Sequence, residues 1–202
     1  MTLLNLIRAG GWTMVPIILA SFVTVALIID HAWSLSRAKK HLYWLWQFPD
    51  KKDQLLLKKP SDLVLQFLTE VEEAQVRDLG EKTALAGQLV LAQERRISWL
   101  GTIASIAPLL GLIGTVSGMI LIFNQISAAP PANPMAELSR GISEALVATA
   151  GGLIVAIVAA LSHHSLQSSN DDLAVDLEAW LKETTAPASA ASGGVPLAHA
   201  NK

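Results

Sequence analysis

Residues 97–136 read ISWLGTIASIAPLLGLIGTVSGMILIFNQISAAPPANPMA and contain no Asp, Glu, Lys or Arg. A helix that spans a membrane needs about 20 consecutive apolar residues, and this stretch is about twice that length. Its last part contains Pro130, Pro131 and Pro134, and proline interrupts a helix because it has no backbone N–H. We therefore predict a spanning helix over about residues 98–127 and a short turn over 128–136.

Two other stretches without charged residues are long enough to span, from Ala9 to Ile29 and from Ala145 to Asn170. The chain of 202 residues is 51% apolar and only 16% charged, whereas soluble domains carry about 25% charged residues. These features predict an all-α membrane protein with three transmembrane helices. A cleaved signal peptide is the alternative for the first stretch, but the apolar part is long and no clear cleavage motif is present.

The basic residues are concentrated between the first and second predicted spans. Of the 15 Lys and Arg residues, 11 lie in residues 31–96, and such residues stay on the cytoplasmic side of a membrane. They are Arg37, Lys39, Lys40, Lys51, Lys52, Lys58, Lys59, Arg77, Lys82, Arg95 and Arg96. This asymmetry predicts an N-terminus outside, residues 31–96 inside, the proline turn outside and the C-terminus in the cytoplasm.

The parts of the chain between and after the spans have a helical pattern with one low-complexity end. Pro60-Ser61-Asp62 is a plausible helix start, and the second spanning helix could begin as early as Glu81. Residues Asp171 to Leu181 predict a short amphipathic helix, and the Ala, Ser, Gly and Pro after Thr184 are typical of disorder. The predicted divisions are 1–30 (N-terminus and first span), 31–96 (cytoplasmic helical region), 97–165 (second and third spans), 166–183 (cytoplasmic helix) and 184–202 (disordered tail).

Small residues occupy one face of the second predicted span at a helical period. At 100° per residue, this face contains Ala104, Ala107, Pro108, Gly111, Gly114, Thr115, Gly118 and Ile122. Small residues in a membrane helix permit close contact with another helix, so simple packing is one interpretation. The other is a lining with room for a partner helix or a hydrated ion, to which Thr115 offers an oxygen.

The third predicted span has a similar broad face and an acidic residue near its start. The face contains Ala145, Ala148, Thr149, Gly152, Ala156 and Ala159, and Glu144 lies at its edge. A carboxylate at the membrane centre costs about 2.5–3.5 kcal/mol on the insertion scale. Glu144 is therefore either an interfacial side chain that reaches water or a group that faces an ion path or binds a partner's cation.

Several chemical functions have no support in the sequence. There are no cysteines, the net charge is −2, and no phosphate loop, nucleophile motif or zinc spacing is present. His163 and His164 are adjacent and point in different directions on a helix, which makes them a poor metal pair. We expect no enzyme activity, no catalytic or metal-binding residue, no cofactor and no nucleic-acid partner.

Two stretches of the predicted spans resemble the MotA/TolQ/ExbB proton channel family. They are APLLGLIGTVSGMI at 107–120 and GISEALVATAGGLIVAI at 141–157, and the pair of glycines at 10–11 also fits. Three spans rather than four are similar to the ExbB/TolQ branch. The resemblance implies a subunit of the bacterial inner membrane with long cytoplasmic helical extensions that forms a ring oligomer.

The resemblance also implies partners and residue roles. Subunits of this type form a homopentamer around two copies of a single-span ExbD/TolR-like partner, which supplies the ion-carrying aspartate. Ion flow, of H⁺ or Na⁺, drives work that reaches the outer membrane through a TonB- or TolA-like protein. Thr115 and Thr149 match the threonines of the ion pathway, and Glu144 matches the family's glutamate on the third span.

One position departs from the family's pattern. Val158 follows Ala156-Ile157 where the family commonly has proline, so the third span is expected to be straighter.

The alternative to a motor subunit is a membrane scaffold without ion conduction, in which the small-residue faces only pack helices. An intramembrane enzyme would need a buried nucleophile and base, which the sequence does not suggest.

Overall fold

The computed structural model describes residues 13–48, 62–128 and 131–185. Within these ranges the regular secondary structure is entirely helical: α1 Met14–Gln47, α2 Leu63–Glu73, α3 Leu79–Ala128 and α4 Pro134–Thr185. Among the described helices, α1, α3 and α4 are long and apolar enough to cross a membrane. The prediction of an all-α protein with three membrane-spanning helices is therefore confirmed.

Some predictions lie outside the described residues. These are the start of the first span before residue 13, with the glycines at 10–11, and the lysine-rich loop within 49–61. The tail from 186 onward and the two residues at 129–130 also lie outside them.

The chain divides into two compact units. The first, here called the membrane unit, consists of Met1–Trp33 and Glu94–Ser168, and the second, the extension unit, of Ser34–Gln93 and Ser169–Lys202. The described part of the membrane unit contains the start of α1 and the apolar portions of α3 and α4. It therefore contains every described residue that the sequence nominates for an ion pathway.

Helix α3 is much longer than a membrane is thick. Its 50 residues rise by 1.5 Å each, so the helix is about 75 Å long, compared with about 30 Å for the hydrocarbon core. The Asp78 carboxylate accepts hydrogen bonds from the backbone N–H groups of Gly80 and Glu81 at 2.9 and 3.3 Å, which satisfies two N–H groups of the first turn. This cap explains why α3 begins at Leu79, well before its apolar part.

Helix α4 differs from the prediction at its start and at its end. The Asn133 side chain accepts a hydrogen bond from Ala136 N at 3.2 Å, and proline is favoured at a first helical position. The predicted turn over 128–136 therefore ends at Asn133 rather than at residue 136. Residues Asp171 to Leu181 are helical as predicted, but they form the end of α4 rather than a short helix of their own, because α4 is continuous to Thr185 and residues 153–185 contain no Gly or Pro.

The extension unit has its own apolar core. Asp62 is the N-cap of α2, as the sequence indicated, and its Oδ1 accepts from Leu65 N at 3.2 Å. Its Oδ2 lies 2.9 Å from His41 Nδ1 of α1, which connects the two helices. The buried apolar residues of this unit are Leu35, Ala38, Leu42, Leu45, Leu63, Val64, Leu65, Phe67, Leu68, Ala86, Leu173, Leu177 and Leu181.

Replacing Gly87 by alanine is expected to stabilise the protein. A Cβ at Gly87 would have nothing within 4 Å, and alanine is favoured over glycine in a helix interior by about 0.8–1.0 kcal/mol. The midpoint of thermal unfolding of the detergent-solubilised protein should rise. Gly80→Ala in the same helix is the control, because its Cβ would lie 2.9 Å from the capping Asp78 Oδ2. A lower midpoint for Gly87→Ala would contradict the exposed position of Gly87.

Candidate functional site

Helices α3 and α4 are in very close contact through small residues. A Cβ added at Gly118 would lie 3.2 Å from Ala145 Cβ, and one at Gly114 would lie 2.8 Å from Ala148 Cβ. The contact surface, here called the small-residue seam, consists of Ala107, Gly111, Gly114 and Gly118 on α3 and Ala145, Ala148, Gly152 and Ala156 on α4. In lipid such contact is favourable because close packing, rather than the hydrophobic effect, drives the association of helices.

The seam is tightest at Gly152. A Cβ there would lie 2.6 Å from the Ala107 carbonyl oxygen and 3.1 Å from Gly111 Cα. Because these are backbone atoms, the two helices could accommodate a side chain only by moving apart. The small residues of the predicted faces are thus used for packing within the chain.

Helix α1 covers one side of this contact. Met14 and Ile17 are buried with Ala107, Ala148 and Val155 in one apolar cluster. The neighbouring Gly151 lies against Met14 and Ile17 at ordinary distances, since an added Cβ would be 3.5 Å from Met14 Cε and 3.6 Å from Ile17 Cγ2. The three spanning helices therefore meet at the middle of the seam.

The two threonines lie at similar levels beside the seam. Thr149 Oγ1 donates a hydrogen bond across the seam to the Gly111 carbonyl at 2.9 Å. Thr115, one helical turn after Gly111, donates to the Leu112 carbonyl in its own helix at 2.8 Å and is partly exposed. A hydroxyl that donates its proton still offers its oxygen as an acceptor, so both side chains can accept one more hydrogen bond.

Two further positions that the sequence singled out, one on the predicted face of the second span and one at the departure from the family pattern, lie within continuous helices. Pro108 lies inside α3 and is partly exposed. Its ring leaves the Ala104 carbonyl without the usual helical donor. Val158, where the family pattern has proline, lies inside α4 and is 42% exposed.

Glu144 has a partner that the sequence reasoning missed. Its Oε1 lies 3.6 Å from an Arg140 guanidinium nitrogen, and its side chain is 38% exposed. The same guanidinium donates to Glu137 Oε2 at 3.0 and 3.2 Å. The separations of four and three residues place both acids beside Arg140 on one helix surface, and this spacing could have revealed the group. Arg140 therefore binds Glu137 closely and Glu144 loosely.

A polar groove of about 130 Å³ lies beside the seam, towards the end at which residues 131–133 lead from α3 to α4. Its polar lining consists of Thr13, Ser117, Gln125, Arg140 and Glu144. The sequence did not indicate Thr13, Ser117 or Gln125. Thr13 precedes α1 and the other two lie on α3, and only the fold brings them beside Arg140 and Glu144 of α4. Of the residues predicted for the ion pathway, Glu144 lines this groove, whereas Thr115 and Thr149 do not.

His163 lies in the α3–α4 contact rather than only at an interface. A Cβ at Gly101 would lie 3.1 Å from His163 Nε2, so Gly101 provides room for the imidazole ring, while His164 is exposed. Among the described residues, no group of three or more His, Asp or Glu side chains could hold a metal ion.

These features define a multi-pass membrane protein whose second and third spanning helices form one closely packed pair with hydroxyl groups beside the contact. The family model described as the MotA/TolQ/ExbB proton channel family matches residues 53–179, which is more than half of the chain. The chain belongs to this family.

Individual relatives agree with the ExbB/TolQ branch. The chain is 33% identical over 166 residues to a biopolymer transport protein ExbB-like 3 of Synechocystis, with 76% of this chain and 79% of the relative covered. It is 32% identical over 171 residues to the biopolymer transport protein ExbB of Pseudomonas putida, with 75% and 51% covered. It is 37% identical over 92 residues to the Tol-Pal system protein TolQ of Haemophilus influenzae, with 46% and 40% covered.

The family and the three apolar helices identify a multi-pass protein of the bacterial inner membrane. The matched region includes α2, all of α3 and most of α4, and so includes the whole small-residue seam. It leaves out α1 and the preceding Thr13, which lines the groove.

Proposed function

We propose that the chain is the channel-forming subunit of an inner-membrane motor that is driven by the ion-motive force. Ion flow past the subunit would be coupled to work on the outer membrane or envelope, for example in energising TonB-dependent transport. An elementary charge that crosses 100 mV releases about 2.3 kcal/mol. Several ions could therefore drive one mechanical step.

The observation that carries the proposal is the pair of hydroxyl groups beside the small-residue seam. Thr149 Oγ1 donates to Gly111 O and Thr115 Oγ1 to Leu112 O, so neither threonine proton is left without an acceptor in lipid. Both oxygens remain able to accept a hydrogen bond from a protonated carboxyl group on a partner helix. When that carboxyl loses its proton, the hydroxyls can rotate and donate to the carboxylate instead.

The proposed assembly is a homopentamer around two copies of a single-span ExbD/TolR-like partner, with a TonB- or TolA-like protein as the next component. Exposed apolar residues on α3 and α4 support an oligomer in lipid, since these residues can contact either lipid or a neighbouring subunit. On α3 and α4 they include Leu109, Leu112, Ile113, Val116, Ile120, Leu146, Leu153, Ile154 and Leu161.

The proposed orientation places the N-terminus outside, the 131–133 turn outside and the C-terminus in the cytoplasm. The concentration of basic residues between the first two spans supports it. In this orientation Glu144 lies near the outer mouth of the pathway. The transported ion is H⁺ or Na⁺, because hydroxyl oxygens can interact with both.

The experiment that tests the proposal uses the full chain co-expressed with a single-span protein that carries one aspartate in its span, sought in the neighbouring reading frame. The purified complex is reconstituted into vesicles, and a pH-sensitive dye reports flux under an imposed proton gradient and potential. We expect flux from the complex and none when the partner's aspartate is replaced by asparagine. A parallel run with a sodium gradient identifies the ion.

Electron cryo-microscopy of the same complex provides the structural check. We expect five-fold symmetry of the large subunit, with Thr115 and Thr149 facing a central partner. Threonines that face lipid, with no space for a second protein at the symmetry axis, would contradict the motor function.

A membrane scaffold without ion conduction is the second candidate function. The use of Gly111, Gly114 and Gly152 for packing within the chain favours it, because packing alone explains these three glycines. Packing does not require Thr115 to be a hydroxyl, since its hydrogen bond stays within α3. A scaffold would therefore tolerate an apolar residue of the same shape at position 115.

A further inference from the structure

The polar groove beside the small-residue seam extends far along α3, and the close packing of α3 and α4 does not explain this length. On α3 its lining extends from Gly114 to Gln125, and these two residues are about 16 Å apart along the helix axis, at 1.5 Å per residue. The hydrocarbon core is about 30 Å thick. With Gln125 near the membrane surface, the groove would extend to roughly the middle of the bilayer.

The deep end of the groove is polar. Ser117 Oγ is hydrogen-bonded to the Gly114 carbonyl at 3.3 Å, and its oxygen can accept another hydrogen bond. A Cβ added at Gly114 would lie 3.0 Å from Thr13 Oγ1, so the Thr13 hydroxyl lies beside the same point of α3. Thr115 is the residue that follows Gly114. The groove therefore leads to the level of the threonine proposed to contact the ion carrier.

The shallow end of the groove carries a net negative charge. Glu144 and Arg140 line it, and Glu137 is bound to the same arginine at 3.0 Å. Two carboxylates and one guanidinium leave one uncompensated negative charge beside the opening. Arg140 and Glu144 of the lining cancel each other, so the excess negative charge comes from Glu137 beside the opening. A local excess of negative charge raises the concentration of cations over anions.

The groove is large enough for water. Its volume of about 130 Å³ would hold about four molecules at roughly 30 Å³ each. Hydroxyl, amide and carboxylate groups supply the polar partners that such water molecules need. A chain of water can carry a proton or hydrate a small cation through a region in which lipid would exclude it.

We propose that each subunit contains its own water-filled access path for the monovalent cation, from the outer face through this groove to Thr115. Glu144 attracts the cation at the opening, Arg140 limits how strongly the carboxylate holds it, and Ser117 and Thr13 hydrate the deep end. This inference rests on the proposed function. It adds that the ion enters within a subunit rather than along the symmetry axis.

Cysteine accessibility tests the groove directly, because the chain contains no native cysteine. In Ser117→Cys the thiol replaces a groove hydroxyl, whereas in Val116→Cys it replaces a side chain that is 55% exposed on the outer surface of the helix pair. The two positions differ by only about 1.5 Å in depth. The probe is a positively charged, membrane-impermeant methanethiosulfonate, added to the outer side of vesicles that contain the complex.

We expect the cysteine at position 117 to be modified at least about tenfold faster than the one at 116, since a thiol in lipid does not ionise. Equal rates at the two positions would overturn the proposal, because they would mean that the groove is no wetter than the lipid-facing surface. Faster modification from the cytoplasmic side would overturn it as well, since the path would then open towards the wrong compartment.

A flux measurement on the same Ser117→Cys vesicles tests transport separately from wetting. Modification adds a bulky cation to the groove and should reduce gradient-driven flux at least about tenfold relative to the same variant before modification. Full flux after complete modification would overturn the access path and leave the proposed motor function standing. Conversely, absence of flux from the unsubstituted complex would contradict the motor, while the modification rates would still report whether the groove is wet.

Discussion

Replacement of Thr115 and Thr149 together by valine is expected to abolish gradient-driven flux while the subunit still assembles. Valine has nearly the shape of threonine, so the small-residue seam keeps its packing, but both acceptor oxygens disappear. Hydrogen bonds between membrane helices contribute about 1–2 kcal/mol each in model peptides. Loss of two such bonds to the moving carboxyl group corresponds to a rate reduction of about 30-fold or more.

The same vesicle assay measures this reduction, and size-exclusion chromatography of the complex measures assembly. Thr102→Val is the matched control, because Thr102 also lies on α3 and its hydroxyl donates to a carbonyl of its own helix, that of Ser98, at 3.3 Å. We expect it to leave flux unchanged. Thr115→Ser with Thr149→Ser keeps both hydroxyls and should retain most of the flux. Normal flux from the double valine variant would rule out the pathway role and favour the scaffold.

The single variants separate a structural effect from a transport effect. Thr149→Val removes the hydrogen bond to Gly111 that joins α3 to α4, whereas Thr115→Val removes only a bond within α3. Both variants are expected to assemble, and a measured loss of assembly with Thr149→Val alone would be assigned to the broken α3–α4 hydrogen bond rather than to transport. Loss of flux with Thr115→Val and full assembly is the result that a scaffold cannot explain.

The spanning helices could be predicted because they depend on composition over about 20 residues, and the three apolar stretches are long and free of charge. The helix start at Asp62 followed from a local capping signal, which the structure confirms in its hydrogen bond from Leu65 N. The prediction of a turn up to residue 136 is wrong, because proline interrupts a helix interior but is favoured in a first turn, and Asn133 caps that turn.

The candidate site was predictable only as faces of single helices. A period of 3.6 residues places Gly111, Gly114 and Gly118 on one side of α3, but it does not state what covers that side. The contact with α4 and the hydrogen bond from Thr149 to Gly111 depend on the antiparallel docking of two helices. The groove also needs Thr13, which directly precedes α1 and lies about a hundred residues from Ser117 in the chain.

Packing within the chain explains the glycines of the seam, so the evidence for an ion pathway comes from other residues. Gly111, Gly114 and Gly152 have close neighbours within the chain, so their size needs no ion or partner to explain it. Thr115 is partly exposed and bonded only to its own helix, and Glu144 faces a polar groove. The chemistry of the pathway is therefore better tested at the hydroxyls and the groove than at the glycines.

The glycines are expected to determine stability instead, and Gly152→Ala should have the larger effect of two adjacent substitutions. Its Cβ would lie 2.6 Å from the Ala107 carbonyl oxygen, so α3 and α4 would have to separate. Overpacking of a close-packed interior costs about 1–3 kcal/mol, and the Thr149 hydrogen bond to Gly111 would lengthen as the helices part. We expect a lower midpoint for thermal loss of the folded complex in mild detergent.

Gly151→Ala is the matched control, at the next position of α4 and at almost the same depth. Its Cβ would meet Met14 and Ile17 side chains at 3.5 Å or more, and alanine is intrinsically favoured over glycine in a helix by about 0.8–1.0 kcal/mol. The midpoint for Gly151→Ala should therefore stay the same or rise while that for Gly152→Ala falls. Equal midpoints for the two variants would mean that the seam is looser than described, and Thr149 could then turn away from Gly111 towards a path between the helices.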